Sequence, residues 1–273
     1  MTTPNARTTG LAIPGLREGQ IDVHGVPVAY HEVGEGTPLL CVHGNFASKR
    51  WFTEQLRQPP TGWRVIALDL PNFGASGDLG GTISIRAYAQ ILDTFVRTLS
   101  LPRFALLGHS LGGAVAQVFA AEAPETLRGL VLVDSAAPSG LKTPEEHYRG
   151  LELLRNNRPL MTQALSPAIG QRLPAYLDAL IDDALAMRPP AFVGNARALE
   201  KHNVINALRQ VRCPVLVVRG SNDYLITQEM ADATVAAFPN ARLELFPNIG
   251  HSPQLEAPGA FNRLLNEFLQ ALP

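Results

Sequence analysis

The chain has 273 residues, with 23 Lys and Arg against 24 Asp and Glu, 17% charged residues and a net charge of -1. That length can bury one large core, or a core with an inserted lobe, and the balanced, scattered charge excludes nucleic acid and anionic membranes as main partners. No run reaches membrane-spanning length, residues 1–17 lack the apolar stretch of a secretory signal, and Cys41 and Cys213 lie in or beside apolar runs without metal spacing, so the expectation is a cytoplasmic protein with two buried thiols and no membrane partner.

From Gln20 onward, Ile21 and Val23, then Val26, Val28 and Tyr30, alternate across His24 and Gly25. This predicts an antiparallel hairpin at a sheet edge, with residues 1–19 as a flexible segment ahead of it. Beyond Gly34 and Gly36 come apolar runs that do not alternate, at 39–42, 65–68, 104–107, 130–133 and 215–218, and a mixed one at 243–246. Strands that are apolar on both faces belong to a parallel sheet covered by helices on both sides. Between the runs, Ile85, Tyr88, Ile91, Leu92, Phe95, Val96 and Leu99 recur at helical spacing, as do Leu111, Val115, Val118 and Phe119 before Pro124. A last helix is expected over 255–269, with Phe261, Leu264, Leu265 and Phe268 inward. The reading is an α/β fold with a mostly parallel eight-stranded sheet.

The alternation stops after Asp134. From Ala136 to Leu208 only helical patches are visible, over 145–155, 176–185 and 192–199, punctuated by Pro159, Pro167, Pro174, Pro189 and Pro190. This predicts a helical cap, 136–208, inserted after the sixth strand, over the C-terminal edge of a core made of 20–135 and 209–273.

Ser110 stands where a buried strand would pass through a sharp turn into a helix. The spacing of Gly108, Ser110 and Gly112 is that of a nucleophile elbow, whose glycines permit a turn too tight for a Cβ and whose serine is left exposed. The helix N-terminus beside it offers unpaired N–H groups to a developing oxyanion. A serine hydroxyl needs a base, and the base an orienting acid. Asp223 follows the run at 215–218 and His251 follows the run at 243–246, so both fall in loops at the strand ends where open α/β sheets place ligands. Asp134 also follows an apolar strand and is the alternative acid. Gly34 and Gly36 lack the third glycine and the helix of a dinucleotide site.

With His43, Gly44 and Asn45 after an early strand, Asp69 to Ser76 after the next, the Gly108 to Gly113 turn, and the Asp223/His251 pair, the chain resembles the α/β-hydrolase superfamily over nearly its whole length past residue 20. The resemblance implies the α/β-hydrolase fold with helices on both faces, Ser110 as nucleophile, His251 as general base and acid, and Asp223 as the residue that fixes the His251 tautomer. It also implies an oxyanion hole from the backbone N–H groups of Asn45 and Leu111. His43 and His109 are expected to brace these loops, Asp69 and Ser76 to brace a turn. His24, His31, His147 and His202 are expected to be solvated or locally paired. The family's second strand-end motif carries glycine where this chain has Asn72, a residue that tolerates the left-handed conformation.

Serine at the elbow, rather than aspartate or cysteine, implies acyl transfer. The expected activity is that of a serine esterase acting on a small-molecule ester, thioester or lactone, with Phe46, Trp51 and the cap shaping the substrate pocket and with no metal or organic cofactor. A C–C bond hydrolase shares fold and triad, and a ligand-sensing signalling protein shares the fold. Nothing in the sequence specifies an oligomeric state.

Overall fold

The computed structural model describes residues 12–273. The strands are β1 (Arg17–Val23), β2 (Val26–Val33), β3 (Thr37–Val42), β4 (Trp63–Leu68), β5 (Phe104–His109), β6 (Leu127–Val133), β7 (Val215–Gly220) and β8 (Ala241–Phe246). The helices are α1 (Thr53–Arg57), α2 (Ile85–Thr98), α3 (Leu111–Glu122), α4 (Glu145–Leu154), α5 (Arg158–Ile169), α6 (Leu177–Leu185), α7 (Ala191–Glu200), α8 (Gln228–Ala237), α9 (Pro253–Glu256) and α10 (Pro258–Gln270). The eight strands form one sheet in the order β1-β2-β4-β3-β5-β6-β7-β8, antiparallel at β1/β2 and β2/β4 and parallel elsewhere. This is the α/β-hydrolase fold that the sequence implies.

At the sheet edge Val23 pairs with Val26 across His24 (φ 54°) and Gly25 (φ 83°), a two-residue turn whose central residues are both left-handed, matching the twist of the strands it joins. β1 begins at Arg17, so the last three residues of the segment 1–19 already pair with β2, while residues 1–11 lie outside the described ones.

The central strands divide their side chains between two cores. Leu40, Val42, Leu106, Leu130, Leu132 and Val217 face one core together with α2 and α3, and Leu39, Cys41, Leu107, Val131, Val133 and Val218 face the other, with Phe261, Leu265 and Phe268 of α10. Alternate residues thus meet helices on opposite faces, which is why both phases of each run are apolar. The thiols of Cys41 and Cys213 are unpaired and buried.

The C-terminal region departs from the single helix expected over 255–269. It is two helices, α9 and α10, because Pro258 has no N–H with which to prolong α9 and its ring instead opens α10. Four helices, α4 to α7, occupy the chain between β6 and β7. Of these, α5 has no counterpart in the sequence pattern. Pro159 sits in its first turn, where a missing N–H costs nothing, and Pro167 lies in its last. The short α1 and the weakly amphipathic α8 are likewise additions to the expected helices.

Candidate active site

The strand order reverses about β3: β4 lies on one side of it and β5 on the other. The loops leaving β3 and β5 therefore diverge and open a crevice at the sheet's C-terminal edge. Ser110 lies there with φ 53° and ψ -116°, a left-handed backbone that costs a non-glycine residue on the order of 1–3 kcal/mol. Its N–H is tied to the Val133 carbonyl at 3.0 Å. The neighbouring glycines serve close approach: a Cβ on Gly108 would lie 2.4 Å from the Gly112 carbonyl oxygen, and one on Gly112 would lie 2.2 Å from that of Val42. A Cβ on Gly44 would lie 3.0 Å from that of Ser110, so the β3 loop runs directly against the elbow. Leu111 opens α3, where no intrahelical carbonyl accepts its N–H.

His251 is 4% exposed, and its Nδ1 lies 2.7 Å from Asp223 Oδ2. Asp223 Oδ1 accepts the N–H groups of Leu225 and Ile226 at 2.8 and 3.2 Å. Burial pushes the Asp223 carboxyl up, but the hydrogen bond and charge of His251 outweigh it and hold the group at about 2. Asp134 is packed against the same pair, and burial followed by the Asp223 charge holds its carboxyl well above the usual range. The structure thus brings both candidate acids together and gives the imidazole contact to Asp223.

Several buried groups fix the surrounding loops. His43 Nε2 accepts the Leu70 N–H at 3.1 Å, which leaves the proton on Nδ1 to be donated to the Gly44 carbonyl at 2.7 Å. Burial keeps this ring neutral, with a pKa of about 4. His109 directs Nε2 to the His251 carbonyl at 2.9 Å and stacks on Trp51, ring centroids 5.4 Å apart. Asp69 accepts from Lys49 Nζ, the Lys49 N–H and the Ala75 N–H, and Ser76 Oγ donates to the Asp69 carbonyl, so both residues brace the turn. Asn72 takes φ 73°, as its replacement of glycine requires, and its side chain accepts the Leu79 N–H. His31 and His202 are buried, bonded to Glu18 and Gln117, whereas His24 and His147 are exposed.

A cavity of about 580 Å³ opens between this edge and α4, α5 and α7. Asn45, Phe46, Trp51, Ser110 and His251 line it from the sheet side; Leu141, Leu151, Leu154, Leu165 and Leu199 line it from the other. Leu111 and Asp223 lie behind the wall. Another cavity, of about 560 Å³, lies against α2 and α3 and shares none of these residues.

Three positions escape sequence reasoning. Asn195 of α7, fully buried, donates from Nδ2 to Asn45 Oδ1 at 2.9 Å and accepts the Tyr88 hydroxyl at 2.8 Å. Glu256 accepts the Gly250 N–H at 2.7 Å and the Gln171 N–H at 2.8 Å, and Ser252 Oγ donates to the Ala168 carbonyl, so the end of α5 is tied to the His251 loop. Asn195 has a visible signal, a polar residue on the face shared by Phe192 and Leu199; Glu256 and Ser252 have none.

One ligand atom each from Asp134, Asp223 and His251 lies within 4.8 Å of the others. Two donors of a tetrahedral zinc stand roughly 3.3 Å apart, given metal–ligand distances of about 2.0–2.2 Å. The 2.7 Å between His251 and Asp223 is instead a charge-assisted hydrogen bond.

A sequence model described as the Alpha/beta hydrolase family matches residues 39–264. The chain is similar to a pimeloyl-acyl-carrier-protein methyl ester esterase of Nitrosomonas europaea, 31% identical over 244 residues that cover 84% of this chain and 94% of that one. It is also similar to a 2-hydroxy-6-oxononadienedioate/2-hydroxy-6-oxononatrienedioate hydrolase of Comamonas testosteroni, 27% identical, covering 88% of this chain and 90% of that one. A solved esterase of Thermogutta terrifontis, malate bound, shares the fold with a TM-score of 0.78 at 24% identity, over 93% of this chain and 98% of that one.

Proposed function

The chain belongs to the alpha/beta hydrolase family, and from that premise we propose that it is a serine hydrolase cleaving a small carboxylic ester, thioester or lactone through an acyl-enzyme intermediate. The observation that carries the reading is the convergence of an elbow serine, at φ 53°, and a histidine whose Nδ1 is engaged by a carboxylate on one cavity. Ser110 Oγ attacks the substrate carbonyl while His251 Nε2, the ring nitrogen left free of Asp223, takes its proton. The N–H groups of Asn45 and Leu111 hold the oxyanion; one such donor contributes about 2.7–4 kcal/mol to the barrier reduction. His251 then returns the proton to the departing alcohol or thiol, and water repeats the sequence to free the acid. These oxyanion donors are backbone groups, so a side-chain change at Asn45 acts less directly than one at Ser110.

Residues 136–208 form the cap that selects substrate, together with Phe46 and Trp51. The cavity wall supports an uncharged acyl group. Among the described lining residues there is no Arg, Asp or Glu, and Lys142 and His147 both sit at exposed positions of the cap. A dianion such as the 2-hydroxy-6-oxononadienedioate in the name of the Comamonas testosteroni relative would bring carboxylates to a wall with little to pair them. The free thiols Cys41 and Cys213 support a cytoplasmic setting.

Steady-state hydrolysis of p-nitrophenyl esters from acetate to octanoate, by wild type and Ser110→Ala, tests the reading. The substitution is expected to lower the rate by roughly three to six orders of magnitude. Equal rates in the two proteins would sink the assignment. A single stoichiometric burst without turnover would favour a ligand-sensing role.

A further inference from the structure

Asp134 directly follows β6, takes a left-handed backbone (φ 39°), and is 1% exposed. Its Oδ1 accepts the Gly220 N–H at 3.1 Å, yet no N–H or O–H donor reaches Oδ2. Nearby are a carboxylate oxygen of Asp223 and a ring nitrogen of His251, the three donor atoms lying within 4.8 Å of one another. Asp223 is already the acceptor of the Leu225 and Ile226 N–H groups and the partner of His251. The other charged or titratable groups around the cluster point elsewhere: Arg219 of β7 directs its guanidinium to the Ile226 and Asp223 carbonyls, and His109 of β5 faces the His251 carbonyl.

Two ionised carboxylates this close, in so dry a place, cannot both be stable; one proton between them removes the repulsion and supplies the missing donor. Asp134, enclosed and without a cationic partner, is the one that keeps it. We propose that Asp134 is a neutral carboxylic acid whose Oδ2–H donates to the Asp223 carboxylate, making Asp134 a positioning residue that disperses part of the Asp223 charge and so sets how tightly Asp223 holds His251. The proton stays on Asp134 through turnover. Burial and the Asp223 charge, which together raise the Asp134 carboxyl, act in the same direction. The inference rests on the reading of Ser110, His251 and Asp223 as a triad.

Infrared difference spectra of the intact protein at neutral pH, wild type against Asp134→Asn, read the proton directly. The C=O stretch of a protonated carboxyl, shifted in D2O, is expected in the wild type and absent from the variant; its absence from the wild type would overturn the proposal. Kinetics give a second reading. Asp134→Ala is expected to lower kcat/KM by about tenfold through loss of a hydrogen bond to a charged group. It should also raise the acid limb of the kcat/KM profile by on the order of one pH unit, since Asp223 then holds an undispersed charge against His251. Asp134→Asn keeps an acceptor for Gly220 and a donor for Asp223, and is expected to rescue both effects relative to Ala. An acid limb moved downward in the Asn variant would mean that a negative charge had been removed, and would overturn the proposal. The infrared band needs no substrate, so the two readings separate. A missing band with hydrolysis abolished by Ser110→Ala sinks only this inference; a retained band with hydrolysis independent of Ser110 sinks only the triad.

Discussion

Substituting Asn195 by alanine would cut the link between α7 and the loop that carries Asn45. The fully buried amide makes two hydrogen bonds with oxygen partners, from Nδ2 to Asn45 Oδ1 at 2.9 Å and from the Tyr88 hydroxyl to Oδ1 at 2.8 Å, beside a weak contact from Nδ2 to Met187 Sδ at 3.9 Å. A buried polar group left without its partner costs about 1–3 kcal/mol. Asn45 lines the cavity and can be rehydrated, so its share falls at the low end. Tyr88 is 0% exposed and retains only Asn72 Nδ2, at 3.4 Å, as a donor to its oxygen; its own proton is stranded, and its share falls at the high end. The sum is about 3–4 kcal/mol, a drop of roughly 10 °C in Tm for a chain of this size. The same cut frees the Asn45 side chain, so kcat on a p-nitrophenyl ester should fall more than KM rises. Tyr88→Phe provides the comparison: it removes the hydroxyl's bonds to Asn195 Oδ1 and from Asn72 Nδ2, leaves the Asn45 contact, and should cost stability with little change in kcat. Calorimetry and kinetics at 25 °C measure both effects. If Asn195→Ala melts within a degree of the wild type and keeps its kcat, the link does not hold the oxyanion loop.

Acid should destabilise the fold early. Burial, alone at His202 and joined by neighbouring charges at the other three, holds the folded pKa of His31, His43 and His202 at about 4 and of His109 at about 3, against 6.5 when exposed. Below pH 6.5 the unfolded chain therefore takes up protons that the folded chain refuses, and each ring removes up to about 1.4 kcal/mol per pH unit until the folded value is reached. The urea midpoint should fall steadily from pH 7 to pH 5; a flat midpoint would contradict the neutral, buried state of these rings. The thiols offer a simpler test. Burial raises both Cys41 and Cys213, the latter to about 11, so neither should react with a disulfide reagent in the native protein, and two should react in denaturant. Rapid labelling of Cys41 under native conditions would place it at the surface.

Much of this molecule is written in local sequence. Continuous apolar runs mark strands that meet helices on both faces, and each became a strand of the sheet because both phases of the run have an apolar core to enter. The elbow is equally legible, since Gly108 and Gly112 are demanded by backbone contacts a few residues away or across one strand. Proline is where local reading misleads. Pro258 splits a pattern that looks like one helix, while Pro159, which looks like a break, sits in the first turn of α5 where a missing N–H is harmless, and Pro167 lies inside its last turn, where the helix runs on for only two more residues despite the lost bond to the Gln163 carbonyl.

Long-range polar pairing could not be read from the chain. That Asn195 would meet Asn45, 150 positions away, or that Glu256 would hold both Gly250 and Gln171, depends on how α5 and α7 settle on the sheet edge, and a hydrogen bond leaves no period in a sequence. The same holds for the two acids. Asp134 and Asp223 both follow buried strands, so chain position makes either a partner for histidine. The pairing of β6 with β7 brings the two side chains together, and the fold then gives His251 to Asp223 and the Gly220 N–H to Asp134. Sequence determines which residues reach the edge of the sheet, because reach follows from strand and turn; only packing decides which of them touch, because touching is settled across chain distances that local propensity does not sense.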